Sequence, residues 1–219
     1  MGGQGQDMIC CIFGGADIED YSHACIPEGA LVAAADKGYM HCKQLNIKPD
    51  MIIGDFDSFT GEMPDDIRVV RAPAEKDDTD TVLAIRIAAE EYDCDEFHIY
   101  GALGGRMGHT IASIQTLSFI AELGAYGVLY SDNCEMHLLC EGVHIFENAG
   151  CEYVSLFSMT ESSEITLSGL KYSGQLTVKN SFPVGVSNEF TADGRCRIEV
   201  IKGSLLAVFE KSNKFIYAE

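Results

Sequence analysis

The sequence predicts an α/β protein in two parts: an N-terminal Rossmann-like, mostly parallel sheet with flanking helices, and a C-terminal antiparallel β-sandwich domain. Two observations predict this class. From residue 8 to about 132, apolar runs alternate with helix-like stretches, which is typical of parallel strands joined by crossover helices. Beyond residue 135, short alternating runs are separated by turn residues, which is typical of antiparallel strands. The expected domains are therefore 8–135 and 136–219.

In the first part, six apolar runs predict strands, and their alternation with helix-like stretches suggests a parallel sheet with helices on its faces. The clearest helix is TDTVLAIRIAAEEY, where Val82, Ile85 and Ala89 recur at helical spacing and Asp80 lies in the first turn. A second helix, HTIASIQTLSFIAELG, ends at Gly124, a good C-terminal cap. The strand segments are MICCIFGGA, ALVAAAD, MIIGD, IRVVRA, FHIYGAL and GVLYSD.

In the second part, seven short segments alternate apolar and polar residues and are bounded by turn residues. This pattern predicts half-buried strands of a small sandwich or barrel. The segments are HLLCEG, VHIFENAG, YVSLFSM, EITLSG, QLTVKNS, RIEVIKG and LLAVFEK.

The overall charge limits the classes of partner. The chain has 15 basic and 34 acidic residues, a formal net charge of -19, which would repel nucleic acids and anionic membranes. No run reaches the roughly 18 continuous apolar residues of a membrane helix. The nine cysteines are odd in number and contain no C-x-x-C, which favours a reducing, cytoplasmic setting. We therefore expect small molecules as partners, with no nucleic acid and no membrane.

Acidic residues follow several of the predicted strands. In MIIGDFDS, alternation would turn Asp55 and Asp57 to the same side, and a D-x-D at a strand end can bind Mg²⁺ together with phosphate oxygens. A lone D-x-D can equally cap a helix or lie in a solvated loop. Asp36 follows the second strand, however, and EKDDTD supplies Asp77 and Asp80 before the clearest helix. Three acidic clusters at successive strand ends favour a metal site.

Glycine-rich turns offer places for phosphate. Gly14 and Gly15 follow the first strand, and GALGGRMGHT places Gly104, Gly105 and Arg106 at the start of a helix. Glycine allows the backbone to approach a ligand closely, a helix N-terminus attracts anions, and arginine donates a planar fork of hydrogen bonds. Lys76 either meets phosphate or forms a surface ion pair, and His109 is either a helix-start residue or a functional one.

Taken in order, these residues resemble the pattern of the thiamin pyrophosphokinase family. That pattern contains a glycine pair, a strand-end Asp, G-D-x-D-S, K-D-x-T-D and G-G-R-x-D-H, followed by G-L-K-Y and S-N-E in a β-rich part. The resemblance covers both domains. The matching segments are Gly14 and Gly15, Asp36, GDFDS at 54–58, KDDTD at 76–80, GGRMGH at 104–109, GLKY at 169–172 and SNEF at 187–190.

The resemblance implies an enzyme that moves the pyrophosphoryl group of ATP to the hydroxyl of thiamine, giving thiamine diphosphate and AMP, with Mg²⁺ as cofactor. The catalytic and metal-binding residues that it implies are Asp36, Asp55, Asp57 and Asp80. The ATP-binding residues that it implies, with Lys76 and Arg106 at the polyphosphate, are Gly14, Gly15, Lys76, Asp77, Gly104, Gly105, Arg106 and His109.

Family members resemble one another in being homodimers in which the β-rich domain of the partner chain contributes to the thiamine site. The matching residues here are Tyr172, Ser187 and Asn188. An aromatic face suits a cationic thiazolium ring. Local pattern alone leaves an alternative for each, because Tyr172 also fits a half-buried strand aromatic and Ser187 and Asn188 also fit a turn.

One position departs from the family pattern. Gly108 stands where G-G-R-x-D-H has Asp, which removes a carboxylate from the start of a helix and one polar contact near the thiamine. Two other functions are therefore considered. A haloacid-dehalogenase-like phosphatase would use Asp55 as nucleophile and Asp57 as acid/base. A non-catalytic relative would bind thiamine or nucleotide without turnover.

Overall fold

The computed structural model describes residues 8–55, 66–71 and 78–211. The chain divides into two compact units, one extending to Asp132 and the other beginning at Asn133. The first unit carries a parallel sheet with helices and the second carries antiparallel strands only, so the predicted fold class is confirmed. Within the described residues, no helix combines the length and the apolar character needed to cross a bilayer.

The described part of the N-terminal unit contains six strands, three α-helices and one 3-10 turn. All six strands and the two long helices lie where the sequence predicts them, whereas the sequence analysis did not predict α1 or the 3-10 turn. The strands are β1 Met8–Phe13, β2 Leu31–Ala35, β3 Met51–Gly54, β4 Arg68–Arg71, β5 Cys94–Tyr100 and β6 Tyr126–Tyr130. The helices are α1 Gly38–Gln44, α2 Asp80–Tyr92 and α3 Met107–Glu122, and the 3-10 turn is Tyr21–His23.

The strand order of this unit creates a crevice. The strands lie in the order β4-β3-β2-β1-β5-β6, and every neighbouring pair is parallel. From β1 the chain moves outward through β2, β3 and β4, and it then returns to the other side of β1 as β5. The chain leaves β1 towards one edge of the sheet and leaves β5 towards the other, and this reversal is the topological switch point where open α/β sheets bind ligands.

The central strands are buried on both faces, which explains their continuous apolar sequence. Cys10 to Phe13 of β1 and Met51 to Ile53 of β3 have no exposed surface. Helix α2 packs on β1, β2, β3 and β5 and buries Ile85 and Ala88 on its apolar face. The sheet therefore holds the carboxyl ends of its strands in fixed positions, and the loops that follow them inherit that rigidity.

The C-terminal unit is an antiparallel sandwich. Its described strands form two sheets, in the orders β7-β13-β9 and β11-β10-β12-β8. Buried side chains from both sheets, including Val154, Ile165, Ile198 and Ala207, belong to one core cluster, so the two sheets pack face to face. The strands are β7 Cys134–Leu139, β8 Gly142–Glu147, β9 Cys151–Ser158, β10 Ser162–Ser168, β11 Gly174–Lys179, β12 Arg195–Lys202 and β13 Leu205–Lys211.

All nine cysteines are free, and their surroundings predict which of them react. Cys25 and Cys140 are exposed, whereas burial raises the pKa of the Cys11 and Cys42 thiols to about 12. The thiolate is the nucleophile, so at pH 8 a rise of about three units leaves these two thiols about a thousandfold less ionised than ordinary ones. We expect a thiol reagent at pH 8 to modify Cys25 and Cys140 first, and all nine thiols only after unfolding in urea.

Peptide mass mapping of the modified protein checks this order. Early modification of Cys11 or Cys42 would contradict the burial described above. The folded pKa of these thiols lies above their ordinary value of 9.0, so their contribution to stability is present below pH 9 and is lost as the pH rises towards 12.

Candidate active site

A cleft of about 660 Å³ lies at the carboxyl ends of β1, β2, β3 and β5, at the switch point of the parallel sheet. It brings together most of the residues that the sequence analysis singled out in the N-terminal part. These are Gly14, Gly15, Asp36, Asp55, Asp80, Gly104, Gly105, Arg106 and His109. Asp57, Lys76 and Asp77 lie outside the described residues, and Tyr172, Ser187 and Asn188 belong to the C-terminal unit.

Two loops cross at the cleft with their backbones in direct contact. The Gly14 N–H donates to the Tyr100 carbonyl at 2.7 Å, and the Ala16 N–H donates to the Gly101 carbonyl at 2.8 Å. A Cβ on Gly14 would lie only 2.6 Å from the Gly101 oxygen, and Gly101 itself has a φ of +61°. Both positions therefore require glycine, and the requirement is steric as well as conformational.

Asp36 holds an unusual backbone conformation directly after β2. Its φ is 51°, in the left-handed region, and its N–H donates to the Ile53 carbonyl at 2.7 Å. Two of the other non-glycine residues with positive φ, Asn46 and Asp93, lie just after helices, where this conformation is common. Asp36 has no such reason, and strain of this kind concentrates at functional sites. The β2–β3 ladder therefore fixes the backbone of Asp36, and its side chain lines the cleft.

The two other described carboxylates that were predicted as metal ligands reach the cleft from different elements. Asp55 is exposed and directly follows β3. Asp80 is the first residue of α2, and the preceding Thr79 caps that helix by accepting a hydrogen bond from the Val82 N–H at 3.2 Å. The positive end of the helix dipole stabilises a carboxylate at this position.

The start of α3 offers an anion-binding arrangement on the opposite wall. Gly104 and Gly105 both have positive φ, and the Thr110 hydroxyl donates to the Gly104 carbonyl at 3.1 Å. Arg106 occupies the N-cap position, yet its side chain makes no capping hydrogen bond, and the first turn contains no acidic residue. The start of a 16-residue helix, whose N-terminus favours anions, and Arg106 therefore lie together at the cleft.

Six further polar residues line the cleft that the sequence analysis did not select: Asp17, Lys37, Thr79, Thr81, Ser113 and Thr116. Ser113 and Thr116 follow His109 at intervals of four and three residues, so all three lie on one face of α3. That spacing could have identified Ser113 and Thr116 from the sequence as neighbours of His109. Lys37 directly follows Asp36, whereas nothing in the sequence marks Asp17.

The charges of the cleft suit a polyphosphate only when a cation accompanies it. Four carboxylates line the cleft, from Asp17, Asp36, Asp55 and Asp80, against two permanently positive groups from Lys37 and Arg106. Bare triphosphate would be repelled by this excess of negative charge. In the part of the chain that the structure describes, no three His, Cys, Asp or Glu side chains converge closely enough to hold a metal by themselves.

In the C-terminal unit, Asn188 organises the segment that carries Tyr172. The Asn188 side chain accepts hydrogen bonds from the N–H groups of Tyr172 and Glu189, both at 3.0 Å, and donates to the Tyr172 carbonyl at 2.9 Å. Asn188 is 7% exposed, whereas Tyr172 is 67% exposed. Asn188 therefore positions Tyr172, and the tyrosine ring is the group presented to solvent.

Ser187, next to Asn188, is the fourth non-glycine residue with positive φ among the described residues, at 58°. Its N–H donates to the hydroxyl of Ser155 at 3.1 Å, and on either side the chain pairs with β9, through Gly185 opposite Leu156 and Asn188 opposite Val154. The three residues predicted at the thiamine site therefore lie close together: Ser187 and Asn188 are in one segment beside β9, and Tyr172 is hydrogen-bonded to Asn188 from a separate segment.

Gly108, the departure from the family pattern, lies in the exposed first turn of α3. A Cβ at this position would contact nothing within 4 Å, and no unusual φ is needed. The backbone therefore does not require glycine here, and an aspartate side chain would fit sterically.

Two family models match most of the chain. The thiamin pyrophosphokinase catalytic domain matches residues 23–124, and the thiamin pyrophosphokinase vitamin B1 binding domain matches residues 143–205. The first match lies in the unit that carries the cleft, and the second lies in the sandwich.

Individual proteins agree with these matches. The thiamine pyrophosphokinase of Bacillus subtilis is 30% identical over 154 residues, covering 66% of this chain and 71% of that protein. A crystal structure of thiamine pyrophosphokinase from Bacillus subtilis superposes with a TM-score of 0.84 at 25% identity, covering 93% of this chain and 99% of the other. Thiamin pyrophosphokinase from Candida albicans shares the fold, with a TM-score of 0.74 at 17% identity over 94% and 90% of the two chains. The chain belongs to the thiamin pyrophosphokinase family.

Proposed function

We propose that this protein is a thiamine pyrophosphokinase that transfers the pyrophosphoryl group of ATP to the hydroxyl of thiamine. The observation that carries the proposal is the cleft at the switch point of a family member, where Asp36, Asp55 and Asp80 meet the glycine turns and Arg106. The comparisons do not favour a haloacid-dehalogenase-like phosphatase.

The reaction makes one bond and breaks one. The thiamine hydroxyl oxygen attacks the β-phosphorus of ATP, and the bond between that phosphorus and the oxygen bridging to the α-phosphorus breaks. AMP leaves with the bridging oxygen and its electron pair, and the hydroxyl proton passes to a carboxylate of the cleft. Catalysis of this kind depends on positioning the reactants in line and on stabilising phosphate charge.

The residues of the cleft supply those two functions. Gly14 and Gly15 let the backbone approach the nucleotide, and the N–H groups at the start of α3 donate to phosphate oxygens. Arg106 adds a planar pair of donors for the same oxygens. The backbone of Asp36 is held by its N–H, which donates to the Ile53 carbonyl, so its carboxylate extends from a fixed point at the cleft.

The donors in the cleft fit Mg²⁺. One or two of Asp36, Asp55 and Asp80 would hold it through carboxylate oxygens, which are the ligands that Mg²⁺ prefers, and phosphate oxygens and water would supply the rest of its coordination. Because fewer than three described protein side chains converge on one point, we expect Mg²⁺ to bind together with the nucleotide. When bound, Mg²⁺ neutralises the charge on the phosphate oxygens.

Incubation with ATP, Mg²⁺ and thiamine, followed by chromatography of the nucleotides, tests the function directly. The expected products are AMP and thiamine diphosphate in equal amounts. Inorganic phosphate without AMP would point to a phosphatase, and unchanged ATP with measurable thiamine binding would point to a non-catalytic relative; either outcome contradicts the proposal.

For thiamine, we propose a site at Tyr172, with Ser187 and Asn188 positioning it. The chain contains no tryptophan, so Tyr172→Trp introduces a single fluorescent reporter at an exposed ring. Thiamine should quench this fluorescence to a saturable limit, because the thiazolium cation would stack on the indole face. The control is Tyr126→Trp at the start of β6, whose fluorescence should not change. A Tyr172→Trp enzyme that turns over normally without quenching would place thiamine elsewhere.

The proposed assembly is a homodimer in the cytoplasm. Exposed apolar side chains on the C-terminal unit, among them Val143 and Ile145 on β8 and Phe182, Val184 and Val186 before Ser187, support pairing of chains there. Nine free cysteines support a reducing compartment. Light scattering of the purified protein should give a mass near twice the 23.8 kDa of the chain, and a monomer would contradict the dimer.

A further inference from the structure

Among the described residues of the N-terminal unit, most basic side chains have an interaction partner and two do not. Within the described residues of this unit, five basic side chains interact with a neighbour. Three form ion pairs: Lys48 with Asp66 at 2.5 Å, Arg68 with Glu91 at 2.7 Å and Arg86 with Asp78 at 2.9 Å. Lys43 lies over the Tyr39 ring at 4.5 Å, and Arg71 also has an interaction partner. Two remain, Lys37 and Arg106, whose side chains make no hydrogen bond or ion pair with any described residue.

Both of these unengaged cations line the cleft. In a chain with 34 acidic and 15 basic residues, these two cations stand out because they lie in the cleft, next to carboxylates, and still pair with none of them. Carboxylates are close at hand, since Asp17 and Asp36 line the same cleft, yet neither comes within 4.0 Å of the Lys37 ammonium. The arrangement leaves both positive charges available to an anionic ligand.

The backbone of Lys37 is fixed by its neighbours. Asp36 before it is held on the β2–β3 ladder, and Gly38 after it packs so closely on β1 that a Cβ there would lie 1.8 Å from the Phe13 carbonyl oxygen. A Cβ on Gly15 would lie 3.3 Å from the Lys37 Cβ, so the lysine side chain begins beside the glycine turn. A flexible four-carbon stem from a fixed backbone is well suited to reach phosphate in the cleft.

We propose that Lys37 is a second binding cation for the polyphosphate, acting from the β2–α1 side of the cleft while Arg106 acts from the start of α3. This rests on the proposed function, because pyrophosphoryl transfer spreads charge over both the transferred group and the departing AMP. Two cations on separate elements of the cleft can neutralise both parts.

The experiment compares Lys37→Met with the wild-type protein, using inorganic tripolyphosphate and adenosine as separate probes in the presence of Mg²⁺. Lys37→Met should raise the inhibition constant of tripolyphosphate by about 10- to 100-fold, the range expected for one charge-assisted hydrogen bond, and leave that of adenosine unchanged. The KM for ATP should rise with it, whereas the KM for thiamine should not. Lys37→Arg should recover part of the loss.

Lys43→Met is the matched control, because Lys43 lies on the same helix but stacks on Tyr39 outside the cleft, and it should behave as wild type. Lys37 is exposed, so the melting temperature of Lys37→Met should be unchanged. Equal tripolyphosphate affinity in Lys37→Met and wild type would overturn the inference. If the protein transferred no pyrophosphoryl group at all, calorimetric titration with tripolyphosphate and Mg²⁺ would still decide the role of Lys37, independently of the function.

Discussion

Asp55→Asn is expected to lower kcat/KM for pyrophosphoryl transfer by about a thousandfold while leaving the fold intact. The amide keeps the shape of the carboxylate but loses the charge that would hold Mg²⁺ against the phosphates. A metal ion supplies several kcal/mol of charge stabilisation in such reactions, and each 1.36 kcal/mol corresponds to a factor of about ten in rate. AMP formation measures the loss.

The fold should survive this substitution because Asp55 is exposed and follows β3, whose core residues are unaffected. The control is Asp95→Asn, an exposed aspartate near the amino end of β5, at the other end of that strand from the cleft. It should retain full activity. Near-wild-type turnover of a folded Asp55→Asn protein would refute the metal-binding role of Asp55.

Gly38→Ala should destabilise the protein by about 3 kcal/mol, which corresponds to a fall in melting temperature of roughly 10 °C. The added Cβ would lie 1.8 Å from the Phe13 carbonyl oxygen, and that atom belongs to the backbone of a buried strand that cannot move aside. Helix α1 would have to shift away from β1. Thermal unfolding followed by circular dichroism measures the change.

Gly108→Ala provides the matched comparison, because it also adds one methyl group in the first turn of a helix. A Cβ there contacts nothing within 4 Å, and alanine is the better helix former by about 1 kcal/mol. We therefore expect this variant to be more stable than wild type. Equal effects of the two substitutions would show that the close packing of α1 on β1 does not determine the stability of this region.

The strands could be predicted from the sequence because burial on both faces produces apolar runs such as MICCIF, and few other structures produce such runs. Helix α1 could not be predicted from the sequence. Residues Gly38–Gln44 form only two turns, and the preceding Lys37 makes no side-chain cap. This helix depends on tertiary contacts, including Gly38 against Phe13 and the His41 ring, which donates to the Ala16 carbonyl at 2.9 Å. Contacts of that kind leave no local pattern.

The site was predictable to a similar degree. Asp36, Asp55 and Asp80 could be placed together because the carboxyl ends of parallel strands lie at one edge of a sheet. The positioning role of Asn188 could not be predicted, since it depends on a contact with Tyr172 sixteen residues earlier. Lys37 was missed because its significance lies in the absence of a carboxylate partner within the described residues, which only coordinates reveal.

Calorimetric titration of the protein with ATP, once in the presence of Mg²⁺ and once with EDTA instead of Mg²⁺, tests the role of the carboxylates most directly. Because Asp17, Asp36, Asp55 and Asp80 outnumber Lys37 and Arg106 in the cleft, ATP should bind with Mg²⁺ present and lose most of its affinity without it. Equal ATP affinity in both conditions would contradict a cleft in which the carboxylates hold a metal ion against the triphosphate.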